Sequence, residues 1–190
     1  MRIEIMTKQH KEKELYDVIY AVIQAVGMTV TIKQDHSGIN MSYNFIGDYV
    51  GFDAKRLIEA RNELKLPISL QVYVKTMTLH ELGHAMDRDA LQASLPRTIE
   101  IFTMKKQHSL REIYHQEHLL TMMLEEHEMN IQFEQTAWDN ARALNHIHQF
   151  VSETDFDKIM QHSLATYKTL YEQDVQAYHH LLNQQVVQLA

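Results

Sequence analysis

Thr76-Met-Thr-Leu-His80-Glu81-Leu-Gly83-His84-Ala-Met-Asp87 is the stretch around which the chain is organised. It contains His-Glu-x-x-His inside an apolar run that reads as a buried helix. On a helix, residues i and i+4 stand one above the other on the same face. His80 and His84 can therefore aim two imidazole nitrogens at one point, at the roughly 2.0–2.1 Å that zinc requires. Glu81 flanks that point and is placed to take a proton from a zinc-bound water. The competing reading is two satisfied histidines on a partly buried helix; position 83 is Gly. Glycine in a helix interior costs about 1 kcal/mol relative to alanine, a loss more readily accepted where something must pack closely.

Working back from this helix, Pro67 suits its first turn, and the helix is expected to run to about Asp89. Tyr73, Met77, His80 and His84 share a face, while Ile68, Val72, Leu79, Leu82 and Met86 supply packing on other sides, so the helix is central. Asp53 can cap a shorter helix through about Leu64, with Leu57, Ile58 and Leu64 facing inward. Before it, Met28, Val30 and Ile32 alternate along a half-buried strand. Residues 39–46 and 49–53 flank Gly47-Asp48, a pair suited to a two-residue hairpin turn, so residues 28–53 should form a small, largely antiparallel sheet. Leu15, Val18, Ile19, Val22, Ile23 and Val26 recur at helical spacing over residues 12–27, with Gly27 as the stop.

Working forward, neither Gly nor Pro occurs after Pro96. That span is rich in Leu, Met, Glu, Gln and Ala and is read as helix, one long or two stacked, from about 98 to 149. Ser152 with Asp155 makes a capping-box-like start for a last helix over 153–188. That helix would be roughly 50 Å long, so it either bends or pairs with another copy of the chain. The fold class expected is α+β, mostly α. Residues 1–150 would form the main domain and residues 151–190 a C-terminal helix that packs on it or mediates association.

Composition narrows the function. A net charge of −7 argues against a nucleic-acid-binding surface. The absence of cysteine excludes disulfides, thiolate zinc ligands and a cysteine nucleophile. The first fourteen residues show no uninterrupted apolar run of the secretory type, and no window approaches the length of a membrane span. The expected setting is cytoplasmic, without membrane or nucleic-acid partners.

A catalytic zinc has three protein ligands and leaves a position for water. The longer pattern H-E-x-x-H-x-x-G-x-x-H fails here, because Asp87 and Ala90 fall at its Gly and final His positions. The third ligand is therefore sought on a later helix, among Glu125, Glu126, Glu128 and Glu134. Glu134 is favoured. Asn130, Ile131, Ala137, Trp138 and Ala141 surround it on an inward stripe, and small Ala137 would let two helices approach. Glu126, on the stripe Met122-Met129-Phe133, is the alternative, while Glu125 and Glu128 read as solvated. His127, two turns before Glu134, either donates to an oxyanion, completes the surroundings of the metal, or faces solvent. Asp87 either orients a histidine ring or solvates the helix end. His115 and His118 can meet at i, i+3 but show no third partner in the sequence; His146, His148, His179 and His180 read as surface residues, and the tyrosines of the last helix as core or interface.

His80-Glu-Leu-Gly-His84-Ala, followed by a helix bearing Glu134-x-x-Ala137-Trp138, resembles the zincin metallopeptidases whose third ligand is glutamate, the gluzincins. The run Gly83-His84-Ala-Met-Asp87 resembles the corresponding segment of the anthrax lethal factor protease domain. The size and helix–sheet–helix order resemble the ImmA/IrrE-type metallopeptidases. The likeness covers roughly residues 28–142. Trp138 stands where thermolysin-like members carry Asp. The resemblance implies a zincin-like fold and a zinc metalloendopeptidase acting on protein or peptide substrates, with His80, His84 and Glu134 on the metal and Glu81 as base. In lethal factor-like sites a tyrosine on the ligand helix stabilises the oxyanion, the part His127 would take. The contrasting hypothesis is a non-catalytic protein of the same fold whose helices bind a partner.

Overall fold

A computed structural model describes residues 2–188 of the chain. Among these residues the elements run α1 (Arg2–Val26), β1 (Thr31–Gln34), β2 (Met41–Asn44), β3 (Tyr49–Phe52), α2 (Ala54–Glu63), α3 (Leu70–Met86), α4 (Arg88–Gln107), α5 (Leu110–Ile113), α6 (Glu117–His148) and α7 (Glu153–Gln188). The class is α+β, mostly α, as expected. None of these helices is long and apolar enough to cross a membrane. Contacts group the chain into two compact units, residues 1–88 with 136–162 and residues 89–135 with 163–190.

In the first unit the predicted stripe of α1 is the buried one: Leu15, Ile19, Val22 and Ile23 are all buried. The helix begins ten residues earlier than expected and ends where expected. Gly27 takes φ +78°, and its N–H donates to the carbonyls of Ile23 and Gln24, so the last turn closes in a conformation a side chain would strain. Helix α3 contributes Val74, Leu79 and Leu82 to the core, with Leu57 of α2, Val50 and Phe52 of β3, Trp138 and Ala141 of α6, and Phe156 and Ile159 of α7.

The sheet is mixed, in the order β1-β3-β2. β3 pairs antiparallel with β2 and parallel with β1. The reason lies in β3 itself. Its Val50 and Phe52 are fully buried, so the strand belongs in the middle with both edges paired. Polar β1, with only Ile32 half-buried, belongs at an edge. Met41 pairs with Phe52 and Asn44 with Tyr49, so the hairpin loop holds four residues and not the two expected. The Asn44 side chain accepts from the Gly47 N–H at 2.7 Å, and Asp48 takes the positive φ. Helix α3 starts later than expected: Ser69, not Pro67, precedes its first residue and accepts from the Val72 N–H. Met86, expected to pack, is 51% exposed, because the helix ends there and the chain turns at Asp87.

In the second unit Pro96 lies inside α4 instead of preceding a helix. Ile101 and Met104 of α4 pack with Ile113, Leu119 and Met123, and Met122 and Met129 lean on this cluster. Ser109 and Glu112 form a reciprocal capping box on α5. At the start of α7 the Ser152 hydroxyl accepts from the Asp155 N–H, as read from sequence.

Asp53 caps α2 and binds the loop before β2 as well. Its carboxylate accepts from the N–H groups of Lys55, Arg56 and Gly38 at 3.0–3.2 Å. Burial by itself would raise its pKa, but the donors at Arg56, Gly38 and Lys55 hold it below the ordinary carboxylate value. A depressed native pKa contributes stability above the unfolded value, near 3.9, and that contribution is lost as the pH falls through the native one. Asp53→Ala is therefore expected to cost about 1–2 kcal/mol near neutral pH. Urea unfolding of both proteins at pH 7 and at pH 3 should show the gap narrowing in acid; a gap unchanged with pH would exclude the ionised cap.

Candidate metal centre

Helix α3 is buried on most of its circumference from Tyr73 to Gly83. Its interior hydroxyls satisfy themselves locally: Thr76 and Thr78 donate to the carbonyls of Val72 and Val74. His80 and Glu81 are each only 4% exposed. Ionisable groups so placed need partners, and this is the first sign that the helix was shaped for more than packing.

The imidazole of His80 lies flat against the indole of Trp138, with centroids 4.2 Å apart and planes 20° apart. Phe156 meets the same indole edge-on at 5.5 Å. Trp138 is fully buried, so stacking and core packing fix this ring. His84 stands one turn along α3, its ring 4.7 Å from that of His80 and steeply inclined to it. Trp138 thus sets a flat aromatic wall against the first histidine.

Gly83 explains the closeness of the backbones. A Cβ built there would lie 2.0 Å from the carbonyl oxygen of Ala137. Asn140 Nδ2 donates to the Gly83 carbonyl at 3.0 Å, which ties α3 and α6 together beside the histidines. The sequence reading of Gly83 and Ala137 as residues of close approach is therefore the observed arrangement. Burial chiefly holds the Tyr73 phenol above its ordinary pKa. The charges of Glu63 and Glu81 add to that rise, while Arg56 and the hydrogen bond from Asn40 oppose it.

Glu134 lies on α6 one turn before Trp138, along a single unbroken helix. His80, His84 and Glu134 offer ligand atoms that all lie within 4.8 Å of one another. This group could hold a metal ion: two imidazoles and one carboxylate leave room for a fourth ligand and suit a borderline-soft cation. It is the one such group of three or more His, Asp or Glu side chains among the described residues.

The other acids of α6 are engaged elsewhere. Glu125 accepts from Arg97 at 2.8 Å, and this hydrogen bond holds its pKa below the usual range. Glu126, the alternative ligand, accepts from Lys105 at 2.7 Å. Glu128 accepts from the Tyr171 hydroxyl at 2.8 Å. His127 is not in the metal-ligand group either. Its Nε2 lies 2.9 Å from Asp174 Oδ2, and Tyr114 donates to the other oxygen of that buried carboxylate. Burial and Asp174 push the Tyr114 phenol up to about 12. The oxyanion role read into His127 has no support in this arrangement. Asp87 caps α3, its N–H donating to the His84 carbonyl at 3.0 Å.

Tyr167 of α7 escaped the sequence reading as a site residue. Its hydroxyl donates to Glu134 Oε1 at 3.0 Å. A partly buried tyrosine seeks a partner for its O–H, but nothing local announces a partner thirty-three residues away. Comparison with protein-family models, with curated proteins and with solved structures gives no match.

Gly83→Ala tests the close approach. The substitution is expected to cost about 3 kcal/mol or more through overpacking against the Ala137 carbonyl, well beyond the roughly 1 kcal/mol that alanine returns in helix propensity. Chemical denaturation measures it, and an alanine variant as stable as the parent would refute the contact.

Proposed function

We propose that the chain is a zinc-dependent metallopeptidase of the glutamate-liganded zincin type, hydrolysing peptide bonds in protein or peptide substrates. The observation that carries this reading is the convergence of His80, His84 and Glu134, with Glu81 buried one residue beyond the first ligand. Two neutral imidazoles and one carboxylate form a donor set found on catalytic zinc, three protein ligands with a position left open. Zinc bound there would supply a Lewis acid that polarises a carbonyl and acidifies water.

The side chains have distinct parts. Glu81 takes the proton from the attacking water and returns it to the departing amine, as a general base and then a general acid. Trp138 keeps bulk water from one face of His80 by covering its ring. β2 lies at the outer edge of the sheet and packs against α3. An extended substrate backbone can pair with such an edge strand. A purely structural zinc would need no carboxylate buried beside its ligands, since an ionised group in that setting is costly to keep; the placement of Glu81 therefore favours catalysis over a binding-only protein.

Metal binding is tested first. Protein purified without chelator should carry about one zinc per chain, with far less in His80→Ala and Glu134→Ala and no loss in Glu126→Ala. Trp138 is the only tryptophan and touches His80, so zinc titration should also change the intrinsic fluorescence. Near-zero zinc in every protein would sink the metal centre. Catalysis is tested separately. Glu81→Gln should keep its zinc and lose about 10²–10⁴-fold in hydrolysis of a fluorogenic unfolded protein. Undiminished turnover would remove Glu81 as the base.

A further inference from the structure

Three hydrogen bonds run between one face of α7 and the acidic face of α6. Tyr167 donates to Glu134 Oε1, Tyr171 to Glu128 Oε1, and Asp174 Oδ2 accepts from or pairs with His127 Nε2. Residues 167, 171 and 174 share a helical face by their spacing, so α7 presents a polar ladder to α6. Two rungs end on residues outside the ligand group. One ends on the carboxylate that completes it.

We propose that Tyr167 is the positioning residue of the third metal ligand. The proposal rests on the metal centre described above and assigns it a support from α7. A carboxylate has two oxygens and a freely turning terminal torsion. With Oε1 held by the phenol, the plane of the Glu134 carboxylate is set, and Oε2 is the oxygen assigned to the metal. The ligand then binds through one oxygen, which keeps a coordination position for substrate or water. Hydrogen bonds to ligating groups commonly serve this purpose, orienting the ligand and tuning its basicity. Tyr167 touches neither substrate nor metal in this scheme; it acts through Glu134.

The ladder supplies its own control. Tyr171 makes an equivalent bond, 2.8 Å long, from the same helix to Glu128, which is exposed and outside the ligand group. Removing either hydroxyl as Tyr→Phe keeps the ring and its packing. Zinc affinity is to be measured by competition with a chromophoric chelator on the full chain, with wild type, Tyr167→Phe and Tyr171→Phe side by side. Cobalt is then substituted and its visible absorption recorded, and thermal unfolding of the metal-free proteins is compared. Tyr167→Phe should bind zinc about 10- to 100-fold more weakly and shift the cobalt bands. Tyr171→Phe should match wild type in both, and both metal-free variants should unfold within a few degrees of each other. Wild-type zinc affinity with an unaltered cobalt spectrum in Tyr167→Phe overturns the proposal while leaving the metal centre standing. Equal losses in the two variants overturn it too, since they point to a general loosening of α7. Failure of wild type itself to bind zinc overturns the metal centre and the proposal with it.

Discussion

The contact between Gly83 and Ala137 is the constraint from which the rest of the centre follows. A backbone carbonyl from α6 occupies the space where any other residue at position 83 would carry its Cβ. Helices normally pack 8–10 Å apart, with side chains setting the distance. Here one helix has no side chain at the contact and the other has only a methyl group. The Asn140 side chain then seals the approach by donating to the Gly83 carbonyl. Once the backbones are this close, the residues one turn away on each helix have little choice of neighbour. Trp138 is laid against His80, and Glu134, one turn further back, joins His84 and His80.

Burial does the second part of the work. Most of α3 is enclosed, so the imidazole of His80 and the carboxylate of Glu81 lie out of water. Electrostatic interactions strengthen in such surroundings, and unmet polar groups become expensive. One face of His80 is covered by Trp138, and Phe156 stands edge-on against Trp138. The acidic residues of α6 are sorted by what stands opposite each. Arg97 draws Glu125, Lys105 draws Glu126, and Tyr171 draws Glu128. Exposed pairs of this kind contribute little stability, yet they decide which carboxylates are committed elsewhere. Glu134 faces a neutral phenol, Tyr167, which can hold a carboxylate without neutralising it.

Much of this arrangement is local and therefore readable from the chain. His80 and His84 share a face because of helix geometry alone. The glycine inside an apolar helix and the alanine after Glu134 both signal close packing, and the two signals refer to the same contact. The apolar stripe of α1, the Asp53 and Ser152 caps, and the alternation ending at Ile32 depend on neighbours within a few residues, so they too can be read. The choice of Glu134 over Glu126 rested on the size and polarity of helical neighbours, which report burial at one turn's range.

What lies beyond that range was settled only by folding. The strand order follows from which strand must be buried on both sides, so β1 lies parallel to β3 while β2 and β3 form a four-residue hairpin. Pro96 sits inside α4, and Ser69 displaces Pro67 as the start of α3, because caps and tertiary packing outweigh single-residue preferences. His127 lies seven residues before Glu134, a spacing that puts both on one helical face without saying what stands opposite each. Asp174, forty-seven residues away, meets the first, and Tyr167, thirty-three residues away, meets the second. The sequence by itself determined the two histidines, the glutamate between them and the helix that carries all three, since those relations span a single turn. Only the tertiary structure decided which distant side chains meet His127 and Glu134, because a partner's identity depends on how separate helices are brought together.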